Sequence, residues 1–215
     1  MNTEFLTVAS EFTNGLQRLI RSLQAHGIRP TVLGLDQPYL GNFHKLYHVL
    51  DYVNSNSGLG TIVFADAYDV VAAGTLEEIV ETYRQFNSPI VFSAERYCWP
   101  DLLMVDSYPA TDTPYRFLCS GLWVGEADAI RQLFIAALDL LRPSRLDDQH
   151  LLSLLYTSGY QPFTLDTGAE LFQSLNDAES DVVWRDGRMH NLVTGSTPLL
   201  FHANGKSNFP AELIR

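Results

Sequence analysis

Thr61-Ile62-Val63-Phe64-Ala65-Asp66-Ala67-Tyr68-Asp69 is the stretch on which the reading of this chain turns. Its first five residues have the length and β-branched, apolar composition of a strand buried on both faces, and the run stops at Asp66. Asp69 follows three positions later. In open α/β sheets ligands collect at the carboxyl ends of the strands, so two carboxylates just past such an end stand where chemistry is expected. Neighbouring carboxylates repel each other unless a cation neutralises them, and hard cations such as Mg2+ and Mn2+ take oxygen ligands. The stretch therefore predicts a divalent-metal site that receives a phosphate-bearing substrate. A structural reading competes with it: Asp forms turns and caps helices, and D-x-x-D alone does not separate the two.

Working outward, Phe5–Ser10 is predicted as a strand and Asn14–His26 as a helix. Leu16, Leu19, Ile20 and Leu23 share one helix face, and Gly27 is the stop. Arg29–Leu35 returns as a strand, which makes a βαβ unit, the opening of a nucleotide-binding α/β fold. A helix is expected over His44–Asn54. Thr75 and Glu78 have capping-box spacing for a helix that runs to about Phe86. Pro89–Ala94 reads as the next strand, ending at Glu95. Arg96–Arg116 reads as a long irregular segment, and loops of that length inside a domain are usually functional. Then come a short strand at Leu122–Gly125, an apolar amphipathic helix at Ala127–Leu141, and a helix at Leu146–Ser158 that opens with Asp147 and Asp148. The last quarter holds short β-like pieces around Phe163–Asp166, Asp181–Trp184 and Leu199–His202. A parallel α/β half followed by a mixed half is expected, as one domain over residues 1–215.

Composition narrows the function classes. The net charge is −11 over 215 residues, so the surface should repel nucleic acid and anionic lipid. A phosphorylated ligand then needs a metal or a locally placed base. Two cysteines, Cys98 and Cys119, make no disulfide framework. The start, MNTEFLTVAS, lacks the basic segment and long apolar core of a signal peptide, and no apolar run reaches the ~20 residues of a membrane span. A cytoplasmic address without a membrane partner is the expectation.

The strand-end and helix-start positions of Glu95, Asp147, Asp148 and His202 allow all four to share one rim with Asp66 and Asp69. An imidazole among carboxylates is a ligand set that Mn2+ accepts more readily than Mg2+. Taken singly, His202 reads equally as a structural histidine, and Asp147 and Asp148 as acids favoured by the helix macrodipole.

FADAYDV (Phe64–Val70), VFSAE (Val91–Glu95) with CWPD (Cys98–Asp101), Tyr108-Pro109, YRFLCSG (Tyr115–Gly121), DDQ (Asp147–Gln149), Leu165-Asp166, Phe172-Gln173 and FHANGK (Phe201–Lys206) occur in one order. With TVAS (Thr7–Ser10) and LGL (Leu33–Leu35), that order resembles the glycosyltransferase domain of the procollagen lysyl hydroxylases over almost the whole chain. The resemblance implies a GT-A fold, a Rossmann-like nucleotide-binding α/β domain with a mixed β C-terminal part, that uses a UDP-sugar with Mn2+ or Mg2+. The family's metal-holding D-x-Y-D and H-G-N-G motifs fall on Asp66, Asp69 and His202. It also implies Tyr68 against the uracil ring, Thr7 facing the nucleotide, Lys45 near phosphate or ribose, and Asn204 and Gly205 in the nucleotide-binding loop. For Lys45 the reading as a solvated helix residue stands beside this one.

Several positions depart from the family pattern. Gly41-Asn42-Phe43-His44-Lys45 replaces G-G-G-Q-K, Cys119 stands for the asparagine of F-L-N-S-G, and His202-Ala203-Asn204-Gly205-Lys206 replaces H-G-N-G-P. Lys206 resembles the lysine that binds diphosphate in other metal-dependent GT-A transferases. The hydroxylases' downstream oxygenase region has no counterpart in these residues, so a stand-alone form of the domain is expected. The reading is a hexosyltransferase that moves glucose or galactose from UDP-glucose or UDP-galactose to a protein or glycan hydroxyl, such as hydroxylysine or its galactosylated form in a collagen-like protein. Asp147 and Asp148 would position or deprotonate the acceptor, with Glu95 on the same side. Trp99 serves either as an acceptor platform or as a core residue. The alternative function is a catalytically weak module that binds UDP-sugar or glycan.

Overall fold

Alternation along the first and third strands divides the interior into two layers. Leu6 and Val8 pack with Ile62 and Phe64 in one cluster, whereas Phe5 packs with Val63 and Ala65 in the other. Successive strand residues face opposite sides of a sheet, so these runs are apolar throughout because both sides are covered. The computed structural model describes residues 2–160 and 163–214.

In chain order the elements are β1 (Asn2–Val8), α1 (Asn14–Ala25), β2 (Thr31–Leu33), α2 (His44–Ser55), β3 (Leu59–Ala65), β4 (Val70–Ala72), α3 (Leu76–Gln85) and β5 (Ile90–Glu95). They continue with β6 (Phe117–Glu126), α4 (Ala127–Asp139), α5 (Asp148–Thr157), β7 (Thr164–Asp166), β8 (Phe172–Ser174), β9 (Val182–Arg185), β10 (Arg188–Asn191) and β11 (Leu200–His202). Among the described residues the main sheet has six strands in the order β2-β1-β3-β6-β5-β7. The β1–β2, β1–β3 and β5–β7 pairs are parallel, and β6 runs antiparallel to both its neighbours. A second sheet, β4-β11-β8, stands at the carboxyl end of β3, and β9 and β10 form a hairpin.

Helices α2, α4 and α5 cover one face of the main sheet through Leu46, Val49, Phe134, Leu151 and their neighbours. Helices α1 and α3 cover the other through Leu19, Leu23, Ile79 and Tyr83. Phe64 and Trp123 stack across β3 and β6, with ring centroids 5.0 Å apart and planes 7° from parallel. Such a pair contributes about 0.5–1.5 kcal/mol beyond its buried area. The helix ends follow local rules. Thr13 caps α1 by accepting from the N–H of Leu16, Gly27 takes a φ of +73° just past its end, and Thr75 with Glu78 forms the expected capping box on α3.

The mixed α/β architecture matches the GT-A, Rossmann-like expectation, with two corrections. The strand expected at Leu122–Gly125 is ten residues long and begins at Phe117. Cys119-Ser120-Gly121 has the composition of a turn, yet it lies inside a central strand buried on both faces. The segment expected to be irregular throughout contains a 3-10 turn, Leu102–Ser107, capped by Asp101. Strands β4, β8 and β10 are not among those expected from the sequence.

Candidate metal and nucleotide site

The carboxyl end of β3 delivers Asp66, whose N–H donates to the carbonyl of Gly121 at 2.8 Å and so ties the strand end to β6. Asp69 closes the turn into β4. Because β4 pairs antiparallel with β11, with Val70 opposite His202, the sheet brings His202 beside Asp69. The N–H of Ala203 donates to the carbonyl of Asp69 at 2.8 Å, and His202 Nε2 lies 3.2 Å from Asp69 Oδ2 and 4.0 Å from Asp66 Oδ2. Ligand atoms of Asp66, Asp69 and His202 all fall within 4.8 Å of one another. Two carboxylate oxygens and an imidazole nitrogen so close together fit a divalent ion such as Mn2+. The other ring nitrogen, Nδ1, is 3.5 Å from the thiol of Cys119, so Nε2 is the atom directed at the acids. Burial pulls the His202 pKa down, but the charge of Asp69 outweighs it and holds the imidazole well above its ordinary range. For Asp69 burial pushes upward, and His202 and Lys45 pull its carboxyl below the usual value.

Lys45 is a buried residue at the start of α2 and not a solvated helix residue. Its ammonium lies 2.9 Å from Asp66 and 3.0 Å from Asp148, bridging the strand end to the first turn of α5. Burial depresses the Lys45 pKa, and the charges of Asp148 and Asp66 overcome this and hold it well above normal. Burial pushes Asp148 up to about 6 while Lys45 restrains the rise. Asp147 caps α5, accepting from the N–H of His150 at 3.1 Å and from the amide of Asn42 at 2.8 Å.

Glu95, at the end of β5, is buried and pushed up to about 7 by desolvation, although two amides donate to it. Gln149 Nε2 reaches one of its oxygens at 2.8 Å and Asn204 Nδ2 the other at 2.9 Å. Gln149 also donates to the Trp99 carbonyl and accepts from the N–H of Ser120. Asn204 Oδ1 accepts from the N–H of Asn176. This lattice joins β5, β6, α5 and the loop after β11. Gly205 suits that turn, because its φ is +66° and a Cβ would come 2.7 Å from the side-chain Oδ1 of Asn176.

A cavity of about 600 Å3 opens over these groups. Asp66, Asp69, His202 and Lys45 line it, together with Glu95, Trp99, Asp147, Asp148, Asn204, Gly205 and Lys206. Trp99 is 55% exposed, so it is a wall of the cavity and not a core residue. Tyr68 borders an adjoining cavity of about 260 Å3, where its hydroxyl accepts from the N–H groups of Ser10 and Glu11, both at 3.1 Å. Thr7 stands apart from the expectation that it faces the nucleotide. It is fully buried in β1, its hydroxyl makes no hydrogen bond among the described residues, and Val8 and Ser10 line the smaller cavity in its place. The sheet alternation turns Thr7 to the face that Phe5 occupies. Gln149, Asn42 and Cys119 are the residues sequence reasoning missed. The first two adjoin positions already singled out, in DDQ and in the loop before Lys45, and Cys119 was visible as a departure from F-L-N-S-G.

The match to the family model described as the PLOD GT domain runs over residues 1–213. The chain belongs to the PLOD GT domain family. Among relatives of this PLOD GT domain chain, procollagen-lysine,2-oxoglutarate 5-dioxygenase of Drosophila melanogaster is 32% identical over 221 residues, covering 94% of this chain and 30% of that protein. The uncharacterized protein R699 of Acanthamoeba polyphaga mimivirus is 32% identical over 204 residues, covering 90% of this chain and 44% of that protein. The human multifunctional procollagen lysine hydroxylase and glycosyltransferase LH3 is 29% identical over 233 residues, covering 97% of this chain and 30% of LH3. The PLOD GT domain chain thus spans less than half the length of these relatives. Among its described residues no helix is long and apolar enough to cross a membrane.

Proposed function

We propose that this chain transfers a hexose, glucose or galactose, from a UDP-sugar to a hydroxyl acceptor such as hydroxylysine or galactosyl-hydroxylysine of a collagen-like protein, with the help of Mn2+ or Mg2+. One observation carries the reading. The metal-capable trio Asp66, Asp69 and His202 lines one cavity with the buried Lys45–Asp148 pair, Lys45 reaching Asp66 at 2.9 Å, in a chain whose family includes a named glycosyltransferase.

Asp66, Asp69 and His202 would hold the metal. When bound, the ion supplies Lewis-acid charge to the departing diphosphate. Lys206, which lines the same cavity, would add positive charge where the leaving group's negative charge grows. Asn204 spends its amide on Glu95 and on the backbone of Asn176, so it acts by holding the loop. Asp148 is the base. The bond from the anomeric carbon to UDP breaks, a bond to the acceptor oxygen forms, and the acceptor's proton passes to the Asp148 carboxylate. Lys45 keeps that carboxylate ionised at neutral pH. Asp147 fixes the start of α5, and the exposed indole of Trp99 offers a flat face to an acceptor sugar or peptide.

The test is incubation with UDP-glucose or UDP-galactose, MnCl2 and a hydroxylysine peptide with and without galactose, read by mass spectrometry. A gain of one hexose that Asp148→Asn loses while keeping UDP affinity is expected. An unmodified peptide beside tight, metal-dependent UDP binding would instead assign the chain as a UDP-sugar-binding module.

A further inference from the structure

On the far side of α1 lies a second cavity, of about 670 Å3, which shares no lining residue with the candidate site. Its walls carry Arg18, Arg21, Arg188, His26, Gln17 and Trp184. Three arginines against one lining carboxylate, Glu212, is a reversal of sign in a chain whose net charge is −11. Helix α1 presents Arg18 and Arg21, three positions apart and so on one helix face, while the β9–β10 hairpin projects Trp184 and Arg188.

The arginines differ in what they already bind. Arg188 is ion-paired with Glu78. Arg18 donates from Nη2 to the carbonyl of Tyr68 at 2.8 Å and stacks on Phe209, so its guanidinium is already partly engaged. Arg21 is exposed and makes no hydrogen bond or ion pair among the described residues. Trp184 is 45% exposed, a large apolar face left toward solvent beside these cations.

We propose that this cavity is a binding site for an acidic oligosaccharide, one that carries carboxylate or sulfate groups. The guanidinium groups match planar carboxylate or sulfate oxygens in pairs. The indole takes the C–H face of a sugar ring, and Gln17 offers amide donors and acceptors to hydroxyls. A volume of about 670 Å3 falls within the ~300–1,000 Å3 of small-ligand sites, which suits a short saccharide. An acidic peptide would use the arginines without needing the indole. That difference separates the two ligand classes.

The experiment is calorimetric titration of the full chain, with the candidate site saturated by UDP and MnCl2. The titrants are a sulfated uronate disaccharide, its desulfated form, a neutral disaccharide and an oligoglutamate peptide. The expected order of affinity is sulfated over desulfated over neutral, with Trp184→Ala and Arg21→Ala each weakening the sulfated disaccharide about tenfold. Both residues are exposed, so both variants should keep the parent melting temperature and the parent rate of UDP release. Oligoglutamate binding as tight as the sulfated disaccharide, or a sulfated disaccharide indifferent to Trp184→Ala, would overturn the proposal. Failure of the sulfated disaccharide to bind the parent chain would do the same.

Discussion

Gly121 has no side chain, and the candidate metal site depends on that. It lies within β6, and a Cβ placed on it would come 2.2 Å from His202 Cε1, 2.7 Å from His202 Nδ1 and 2.8 Å from Asp66 Oδ2. Carbon atoms pack at about 3.5–4.0 Å, so Gly121→Ala forces the imidazole back by more than about 1 Å. His202 is buried between Cys119 and Asp69 and has nowhere to retreat without leaving one of them. Overpacking of this kind costs about 1–3 kcal/mol, which for a chain of this size lowers the melting temperature by about 2–4 °C per kcal/mol. The metal should suffer more. Disturbing the groups that merely orient ligands already costs about 10–100-fold in affinity, and here two ligands themselves move. Calorimetric titration of Mn2+ into parent and variant, with thermal unfolding alongside, reads both effects. The expected result is at least about 100-fold weaker Mn2+ binding in a folded protein. Parent-like Mn2+ affinity and melting temperature in Gly121→Ala would refute the placement of His202 and Asp66 against β6.

Other consequences follow from single contacts. Lys45→Met leaves Asp66 and Asp148 facing each other without their shared cation, and urea denaturation in chelator should show a loss of about 3 kcal/mol. Asp166 is fully buried and accepts the N–H groups of Glu170, Leu171 and Phe172, yet burial raises its pKa from 3.8 to about 6. The folded chain therefore holds a proton that the unfolded chain has released, and stability falls as pH rises from about 4 to about 6, by about 3 kcal/mol in total. Asp166→Asn should flatten that fall in denaturant midpoints measured across the window. Trp99→Ala should leave the melting temperature within about 1 °C, because the ring is exposed, and raise KM for acceptor about tenfold with little change in kcat.

The parts of this molecule legible from sequence are those where local chemistry and tertiary position coincide. Asp66 and Asp69 follow a buried strand, so the strand end that the run predicts is the place the fold uses. His202 ends a strand too, and only its pairing partner had to be found. Thr7 illustrates the limit, because a strand end fixes where a residue lies along the sheet and not which face its side chain takes. Strand β6 is longer than the expected Leu122–Gly125, and the glycine inside it answers to the close approach of His202 and Asp66. The Gln149–Glu95–Asn204 lattice joins positions 54 and 109 residues apart, a proximity no periodicity encodes.

Release of UDP from UDP-glucose and UDP-galactose, measured with Mn2+, with Mg2+ and with chelator, in the parent chain and in Asp69→Ala, tests the central claim most directly. Metal-dependent release that Asp69→Ala abolishes is the predicted result. Release that persists in chelator or in Asp69→Ala would contradict a mechanism built on Asp66, Asp69 and His202, and a chain that neither releases nor binds UDP would contradict the nucleotide-sugar reading itself.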